Sequence, residues 1–500
     1  MHTHLLIMIP CVNCVVCAIP VAILAYRLYE VHFVQMCLFC ASFLLCCFSY
    51  VKSVLSGIPS YKFIRTRPLS SASYMESLSL TTTVLGVLSL HEQADSSLYS
   101  TLFSLMIYCD FLLGLWGLIP DVNRRKYVRY GMLLLPLLLY AFPQASDMIP
   151  LLLIAGCLLS ALVFRVFYSV RYAFSISEVI LFSKWILLFV LLLFTSPSLS
   201  LRVSIVVLLL SLLLTFVVLF LCDRYSRIKQ SPLALYSLIV AGAAIEIAAL
   251  SQLVDAAFVP WFLRWLLQTT EAFTPLSWSR PLTLLYWFSV LGAMGWCLAR
   301  GLLSRQPQII QRKFFHLVAV TLFLPGLTTD VPFMQVAFAF AFLVFLLLEI
   351  FRITAVPPFA ALDAAMGVFV DSRDAGPFIL THFSLLLSCA IPAWISPEPH
   401  TPIDLLACLS GVLSVGVGDA SAATVGSLWG RVPIYGKKTL EGQLGFVAGV
   451  LGVVAVLMRG SLSWQVLVVI LLSSIEELLC EEIDNYILPL FFMSLLLGIN

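Results

Sequence analysis

The chain has 500 residues, of which 61% are hydrophobic and only 11% are charged, with a formal net charge of +2. Soluble domains usually have about 25% charged residues, so this composition excludes an ordinary soluble protein. A net charge near zero, without blocks of like charge, gives no reason to expect nucleic-acid binding. The lipid bilayer is therefore the first partner to consider.

Apolar runs of about 20 residues, the length that crosses a bilayer, recur along the chain. The clearest are Leu5 to Tyr26, Val31 to Val51, Ser97 to Ile119, Leu201 to Cys222, Leu233 to Val254, Pro332 to Ile350 and Phe378 to Ile395. These runs predict an all-α polytopic membrane protein with roughly fifteen transmembrane helices. The first run follows Met-His-Thr-His without a basic n-region, so we interpret it as an uncleaved span.

Basic residues are gathered between the apolar runs. The clusters are Lys62 to Arg67, Arg124 to Arg129, Arg224 to Lys229, Arg300 to Lys313 and Arg431 to Lys438. An even number of predicted spans separates each neighbouring pair, so all five clusters can face one side, which the positive-inside rule makes cytosolic. The 14 cysteines lie mostly inside apolar runs without His or acidic companions, which favours packing over metal binding.

Polar content divides the chain into two parts. Residues 1–299 form a predicted multi-spanning membrane region in which Asp110 and Glu246 are isolated acids within hydrocarbon. From residue 300 to residue 500, ionisable residues gather in short motifs at the ends of spans. Ionisable groups are expensive in a bilayer and are often functional, so we predict that residues 300–500 form the catalytic region.

Arg312-Lys313-Phe314-Phe315-His316 opens an apolar run. On a helix, Arg312 and His316 lie on one face with Lys313 beside them, which predicts a compact cationic site. The alternative is a basic anchor at the membrane interface, although His316 lies one turn deeper than an anchor requires. Further on, Glu349 and Arg352 form either a helix-end ion pair or part of a site.

Asp371-Ser-Arg373-Asp374-Ala-Gly-Pro377 places three charges directly before the run that begins at Phe378. Pro377 suits the first turn of a helix, and acids before it complement the positive end of the helix dipole. Capping explains one acid only. With Thr381 and His382 one turn further on, we interpret the segment as part of a site.

The polar, glycine-rich segment 418–442 is the strongest signal in the chain. Asp419 precedes small residues that leave room for a neighbouring helix or a lipid chain, and Gly426 and Gly430 continue this narrow face. After a loop with Arg431, Gly436, Lys437 and Lys438, Thr439 is suited to cap a helix with Glu441 and Gly442 in its first turn. The segment thus offers an acid that could bind a divalent metal, together with cations and free backbone amides that could bind phosphate. This combination favours a membrane-embedded phosphotransferase. The Walker A pattern is absent.

Three carboxylates follow near the end of the chain. Glu477, Glu481 and Asp484 have the spacing i, i+4 and i+7, which on one continuous helix would place them on the same face. Like charges so close repel one another unless a cation joins them. The spacing therefore favours metal binding or general-base work over a solvated face.

Together these motifs resemble those of dolichol kinases of the endoplasmic reticulum. The residues that carry the resemblance are Arg312-Lys313-x-x-His316, Asp371 to His382, Gly418-Asp419-x-x-Ala422-x-x-x-Gly426, Lys437-Lys438-Thr439-x-Glu441-Gly442 and Ile483-Asp484-Asn485 with Pro489-Leu490. The resemblance extends from about residue 300 to the C-terminus. It implies transfer of the γ-phosphate of CTP to the terminal hydroxyl of dolichol, with a divalent cation, Mg²⁺ or Ca²⁺. Dolichyl phosphate for protein glycosylation would be the product.

Roles for individual residues follow from phosphoryl-transfer chemistry, in which the protein mainly positions groups and neutralises charge. We assign Asp419 and Glu477 to the metal, and Asp484 to a second metal contact or to activation of the alcohol. Lys437, Lys438 and the loop amides would hold the CTP phosphates. Contacts to CTP are also assigned to the other glycines and side chains of the loop: Gly426, Gly430, Arg431, Gly436, Thr439, Glu441 and Gly442. Arg312, His316, Arg373 and Asp374 would complete the site.

Two other functions would explain some of the same features. A CTP:phosphatidate cytidylyltransferase also uses CTP in a membrane, but it would show a Gly-His-Gly-Gly segment and a later Asp-Arg-x-Asp, and this chain has neither. A polytopic transporter would explain the spans and the buried charges, but it would not predict a phosphate-type loop on the cytosolic side.

Overall fold

The computed structural model describes residues 18–23, 40, 176–225, 231–254, 257–267, 280–303, 307–357, 359, 378–396, 398–436, 438–460, 462–480 and 484–499. Several predicted features lie outside these ranges. They are most of the first three apolar runs, Asp110, the Asp371 to Pro377 segment with Arg373 and Asp374, Lys437 and Glu481. Within the described ranges the protein is helical apart from one short β-hairpin, which confirms the all-α expectation in its coarse form.

The described elements follow one another in this order. The first group is α1 (Ile176–Thr195), α2 (Leu199–Arg224), α3 (Pro232–Leu253), α4 (Phe258–Leu267), α5 (Arg280–Ala299), α6 (Gln308–Thr329) and α7 (Val331–Thr354). The second group is α8 (Thr381–Ile395), α9 (Pro402–Cys408), a π-helical segment (Val412–Asp419), α10 (Ala420–Trp429), β1 (Pro433–Tyr435), β2 (Lys438–Thr439), α11 (Leu440–Leu457), α12 (Trp464–Leu479) and α13 (Asp484–Ile499).

Short polar residues begin several of the long apolar helices. Ser198 accepts a hydrogen bond from the Leu201 amide at the start of α2, and Asp330 accepts one from the Phe333 amide at the start of α7. Each cap satisfies one amide that the first turn of a helix leaves without an intrahelical partner. The helices thus begin where the sequence turns from polar to continuously apolar.

Five helices in the described part of the chain are long and apolar enough to cross a membrane, namely α2, α3, α5, α7 and α11. Residues 402–408 and 412–429 form a pair bent by 66° that could make a sixth span. The predicted runs around Leu201, Leu233 and Pro332 are confirmed as helices, and the run from Phe378 becomes helical at Thr381. These candidate spans indicate a multi-pass membrane protein. The total of roughly fifteen spans stays a prediction.

Buried polar bonds tie three helices of the core together. The Gln335 side chain on α7 accepts a hydrogen bond from the Ser200 hydroxyl at 2.9 Å and donates one to the Ala393 carbonyl at 2.8 Å. The indole N–H of Trp394 donates to the Gln335 carbonyl at 2.9 Å. Because a buried polar group without a partner is costly, these bonds fix how α2, α7 and α8 pack.

Helix α13 lies in the centre of the C-terminal region. Every residue from Asn485 to Gly498 is buried, and the helix contacts α8, α9, α12 and the π-helical segment. Its N-terminal residues, Asp484 and Asn485, are thereby held at the end of a closely packed bundle. That end forms one wall of the site described next.

Candidate active site

A cavity of about 370 Å³ opens among the helices of the C-terminal region. Its polar and charged lining comprises Arg312, Lys313, His316, Thr381, Ser384, Asp419, Ser427, Lys438, Thr439, Gln443, Glu477, Asp484 and Asn485. Residues from α6, α8, α10, α12, α13 and the hairpin therefore meet around one space. Most of the separately predicted motifs line the same cavity.

Asp419 lies where the π-helical segment ends, and it is 4% exposed. The Lys313 ammonium forms an ion pair with its carboxylate, and His316 Nε2 lies 3.7 Å from the same oxygen. The cationic group predicted on α6 is confirmed in its geometry, since Arg312, Lys313 and His316 all line the cavity. A simple interface anchor does not explain a buried contact with Asp419.

Glycine allows the segment around Asp419 to approach its neighbours closely. A Cβ atom on Gly416 would lie 2.6 Å from Val320 on α6, and one on Gly418 would lie 2.5 Å from the Phe446 ring on α11. π-helical turns are rare and are frequently found at functional sites. The irregular backbone and the two glycines together bring Asp419 to the meeting point of three helices.

Lys438 and Glu477 form an ion pair in the lining of the cavity. The Lys438 ammonium lies 2.9 Å from Glu477 Oε1 and also donates to the Glu477 carbonyl. Burial opposes the charged form, but the carboxylates of Glu477 and Asp484 outweigh it and raise the pKa of Lys438 above its ordinary value. Gln443 Nε2 donates to the other Glu477 oxygen at 2.5 Å. Glu477 therefore acts in this structure as the partner of Lys438.

The predicted helix cap after the loop is confirmed. Thr439 accepts a hydrogen bond from the Gly442 amide at 3.2 Å at the start of α11. The loop itself is a hairpin in which β1 and β2 pair antiparallel, and Gly436 adopts a φ of 56° at the turn, a left-handed value that favours glycine.

Several predicted CTP contacts lie on this hairpin and not on the cavity wall. Gly430, Arg431 and Gly436 are exposed. The Glu441 carboxylate accepts the Val432 amide at 3.2 Å, so its observed role is to hold the hairpin against α11. Gly426, Lys438, Thr439 and Gly442 do line the cavity. A role of the exposed loop residues in CTP binding stays a prediction.

The small residues that follow Asp419 form a packing face, as their pattern predicted, and the neighbouring helix is α11. A Cβ atom on Gly442 would lie 3.0 Å from the Ala422 carbonyl, and one on Gly445 would lie 2.8 Å from Val425. Ala422, Ala423 and Gly426 also line the cavity. The close approach of α10 and α11 thus brings Asp419 and Lys438 to the same space.

The expectation of one helix carrying Glu477, Glu481 and Asp484 is wrong. Helix α12 ends at Leu479, Cys480 has an extended conformation, and α13 begins at Asp484. Glu477 and Asp484 nevertheless reach the same cavity from two different helices.

Sequence reasoning did not assign a role to Ser384, Gln443 or Asn485, although all three line the cavity. Asn485 Nδ2 donates to the Ser384 hydroxyl at 2.8 Å, which joins α13 to α8. Ser384 follows Thr381 by three residues, so helical periodicity could have identified it. His382, by contrast, lies against the Phe345 ring and does not line the cavity.

Glu349 holds the backbone that leads into α8. Its carboxylate pairs with Arg352 at 2.6 Å and accepts the Ile379 amide at 2.9 Å. The helix-end ion pair considered for these two residues is therefore present, and it has a second role. It fixes the segment that brings Leu380 and Thr381 to the cavity.

No group of three or more His, Cys, Asp or Glu residues in the described part of the chain is arranged to hold a metal ion. The predicted ligands Asp419, Glu477 and Asp484 share the cavity without forming such a centre. Mg²⁺ is often held by one or two carboxylates together with substrate phosphates and water. The carboxylates of Asp419 and Asp484 fit an ion that arrives with a nucleotide.

The chain is similar to several dolichol kinases. A dolichol kinase of Arabidopsis thaliana is 37% identical over 205 residues, covering 39% of this chain and 36% of the relative. The dolichol kinase of Homo sapiens is 34% identical over 254 residues, covering 48% and 47%. Dolichol kinase sec59 of Schizosaccharomyces pombe is 33% identical over 193 residues, covering 37% and 38%.

The matched part spans less than half the length of each of these relatives. No protein-family model matches the chain, and no solved structure is significantly similar to it. The matches to dolichol kinases confirm the resemblance that the motifs around Arg312, Asp419, Lys438 and Asp484 predicted.

Proposed function

We propose that the protein is a CTP-dependent dolichol kinase, which transfers the γ-phosphate of CTP to the terminal hydroxyl of dolichol. The observation that carries this proposal is the shared cavity of Asp419, Lys438 and Asp484, three residues from separate motifs. Cations and carboxylates that surround one space are what phosphoryl transfer requires, because catalysis there consists mainly of positioning and charge neutralisation. The names of the relatives support dolichol as the acceptor.

In this proposal, Lys438 and Lys437 neutralise the CTP phosphates, with Arg312 and Lys313 on the opposite wall. The dolichol hydroxyl oxygen forms a bond to the γ-phosphorus, and the bond from that phosphorus to the bridging oxygen of CDP breaks. The hydroxyl proton goes to Asp484 if this carboxylate activates the alcohol, and to water if Asp484 is instead the second metal contact. A divalent cation bound with the nucleotide would be held by Asp419 and Asp484 and would neutralise phosphate charge.

The proposal extends to the location of the enzyme. The loops at residues 305–313, 371–375 and 431–442 belong to basic or charged clusters that the positive-inside rule places in the cytosol, where CTP is available. We therefore propose a multi-pass protein of the endoplasmic reticulum membrane whose product, dolichyl phosphate, serves protein glycosylation.

The test is an assay of purified full-length protein with dolichol, Mg²⁺ and either CTP or ATP. We expect dolichyl phosphate and CDP from CTP, and less product from ATP. Lys438→Met should be inactive, whereas Arg459→Met, on the exposed turn after α11, should match the wild type. Release of pyrophosphate would identify a cytidylyltransferase, and a preference for ATP would contradict the assignment of the donor.

A further inference from the structure

A second cavity, of about 100 Å³, lies beside the candidate active site. Its walls are the side chains of Phe182, Trp185, Ile186, Phe189, Leu208, Leu209, Leu212, Thr215, Phe216, Phe342, Leu346, Phe378, Leu380, Phe383, Leu387 and Tyr486. Helices α1 and α2 therefore supply about half of the lining, although the sequence placed both helices in a region without site motifs. We refer to this space as the apolar cavity.

The apolar cavity has few groups that could form hydrogen bonds with water. The Thr215 hydroxyl donates within its own helix to the Ser211 carbonyl at 2.7 Å, and aromatic rings form much of the wall, including the edge-to-face pair of Phe182 and Tyr486. An apolar space of this kind stays dry and accepts hydrocarbon. A cavity of about 150 Å³ holds benzene, with six carbons, so in proportion this one suits roughly four carbons, which is most of one five-carbon isoprene unit.

Three elements contribute to the walls of both cavities. Leu380 lines both of them. On α8, Thr381 and Ser384 face the active-site cavity, whereas Phe383 and Leu387 face the apolar cavity. On α13, Asp484 and Asn485 line the former and Tyr486 lines the latter. A molecule with its polar end beside Asp484 would thus extend past Leu380 into hydrocarbon surroundings.

We propose that the apolar cavity binds the isoprene unit nearest the hydroxyl group of a long-chain isoprenoid alcohol. The identity of the alcohol rests on the proposed function. The branched, methyl-bearing chain would contact the rings of Phe182, Trp185 and Tyr486, and the hydroxyl would be held at the active-site cavity. Residues of α1 and α2 thereby contribute to recognition of the acceptor, outside the region that carries the catalytic motifs.

The experiment uses a long-chain isoprenoid alcohol with a diazirine in its first isoprene unit, and full-length protein in phosphatidylcholine nanodiscs. In the wild type, we expect labelling of residues 208–216 and 378–387. Excess unlabelled isoprenoid alcohol should compete, whereas hexadecanol should not. A straight-chain alcohol that competes equally, or labelling by a diazirine-bearing phospholipid at the same residues, would overturn the proposal in favour of a general lipid site.

Two adjacent substitutions on α2 provide a matched comparison. Leu212 lines the apolar cavity, whereas Leu213 is 56% exposed. Leu212→Trp should fill the space and reduce labelling at least tenfold, and Leu213→Trp should label like the wild type. Leu209→Phe serves as a second filling variant if Leu212→Trp does not fold. Unchanged labelling in a folded filling variant would overturn the proposal.

Kinetics separates this inference from the proposed function. If the wild type phosphorylates an isoprenoid alcohol with a higher kcat/KM than a straight-chain alcohol of the same length, Leu212→Trp should lose that advantage at least tenfold while keeping turnover of the straight-chain alcohol. If no alcohol is phosphorylated from CTP but the labelling pattern is as expected, the proposed function fails and the isoprenoid site stands.

Discussion

Replacing Asp419 with asparagine keeps the size of the side chain and removes its negative charge. The Asp419 side chain is 6% exposed and forms an ion pair with Lys313, whose side chain is 15% exposed. His316 Nε2 lies 3.7 Å away. The substitution therefore removes the charge proposed to contact the metal, and it also leaves a largely buried ammonium group without this partner.

Both consequences can be given a magnitude. Removing one partner of a buried ion pair costs about 3 to 5 kcal/mol of stability, and we expect the lower value because asparagine still offers an oxygen and Lys313 retains some exposure. Loss of a preorganised electrostatic contributor lowers kcat on the order of 100-fold, about 2.7 kcal/mol of barrier. In the single variant, a loss of turnover therefore has two sources, the missing carboxylate and the disturbance caused by an unpaired Lys313.

The double variant Asp419→Asn/Lys313→Met, compared with Lys313→Met alone, separates them, because it leaves no unpaired Lys313 cation and the loss of Lys313 is common to both variants. We expect its melting temperature to recover most of what Asp419→Asn loses. Turnover per folded molecule should stay at least 100-fold below that of Lys313→Met. Recovery of turnover in the double variant, or near-normal turnover in a folded Asp419→Asn preparation, would show that Asp419 serves packing alone.

Four further outcomes are expected. Lys438→Met should lower turnover at least 100-fold. The carboxylates of Glu477 and Asp484 outweigh burial and raise the pKa of Lys438, so on the alkaline side its ion pair with Glu477 is lost only as the pH rises through that raised pKa. On the acid side the pair is lost as Glu477 is protonated, and burial raises the pKa of Glu477 above its ordinary value. A melting temperature of Lys438→Met that approaches the wild-type value at pH 9 would contradict this. Gly445→Ala should destabilise the contact of α10 with α11, because a Cβ atom there would lie 2.8 Å from Val425. Gly452→Ala is the control: its Cβ atom would meet nothing within 4 Å, so it should be neutral or stabilising by about 1 kcal/mol. Thermal unfolding measures both effects. Cysteines at Ile434 and Arg459, at opposite ends of the candidate span α11, should react with an impermeant thiol reagent from opposite faces of sealed vesicles, and reaction from one face would contradict the assignment of α11 as a span. Removal of divalent metal with EDTA should weaken CTP binding in equilibrium dialysis as well as turnover, and unchanged CTP affinity would argue against an ion shared with the nucleotide.

The local parts of the site could be predicted because helical periodicity fixes which residues are neighbours. Arg312 and His316 are one turn apart, and Thr439 caps α11 as the sequence indicated. The small residues after Asp419 likewise predicted a close helix contact, although not the identity of the partner helix. In each case the relevant spacing is shorter than two turns, so no knowledge of the tertiary fold was needed.

The pairings that assemble the site could not be predicted in this way. Lys313 and Asp419 are separated by 106 residues, and Ser384 and Asn485 by 101. Which helices meet depends on packing over the whole bundle, and one apolar helix face resembles another in sequence. The break between α12 and α13 was missed for a related reason, since the spacing of the acids is compatible with one continuous helix and no proline or glycine marks the end at Cys480.

The charges of the cavity nearly balance one another. Arg312, Lys313 and Lys438 supply three positive charges, and Asp419, Glu477 and Asp484 supply three negative charges. Such pairing allows six ionisable groups to be tolerated within a membrane protein, where isolated charges are costly. It also means that lysines already neutralised by carboxylates cannot alone offset the several negative charges of a nucleoside triphosphate. A divalent cation carried with the phosphates would offset two of those negative charges and would give Asp419 and Asp484 a cationic partner besides Lys313 and Lys438. If CTP is the donor, as proposed, the charge count of the site favours metal-bound CTP over free CTP as the species that enters the cavity.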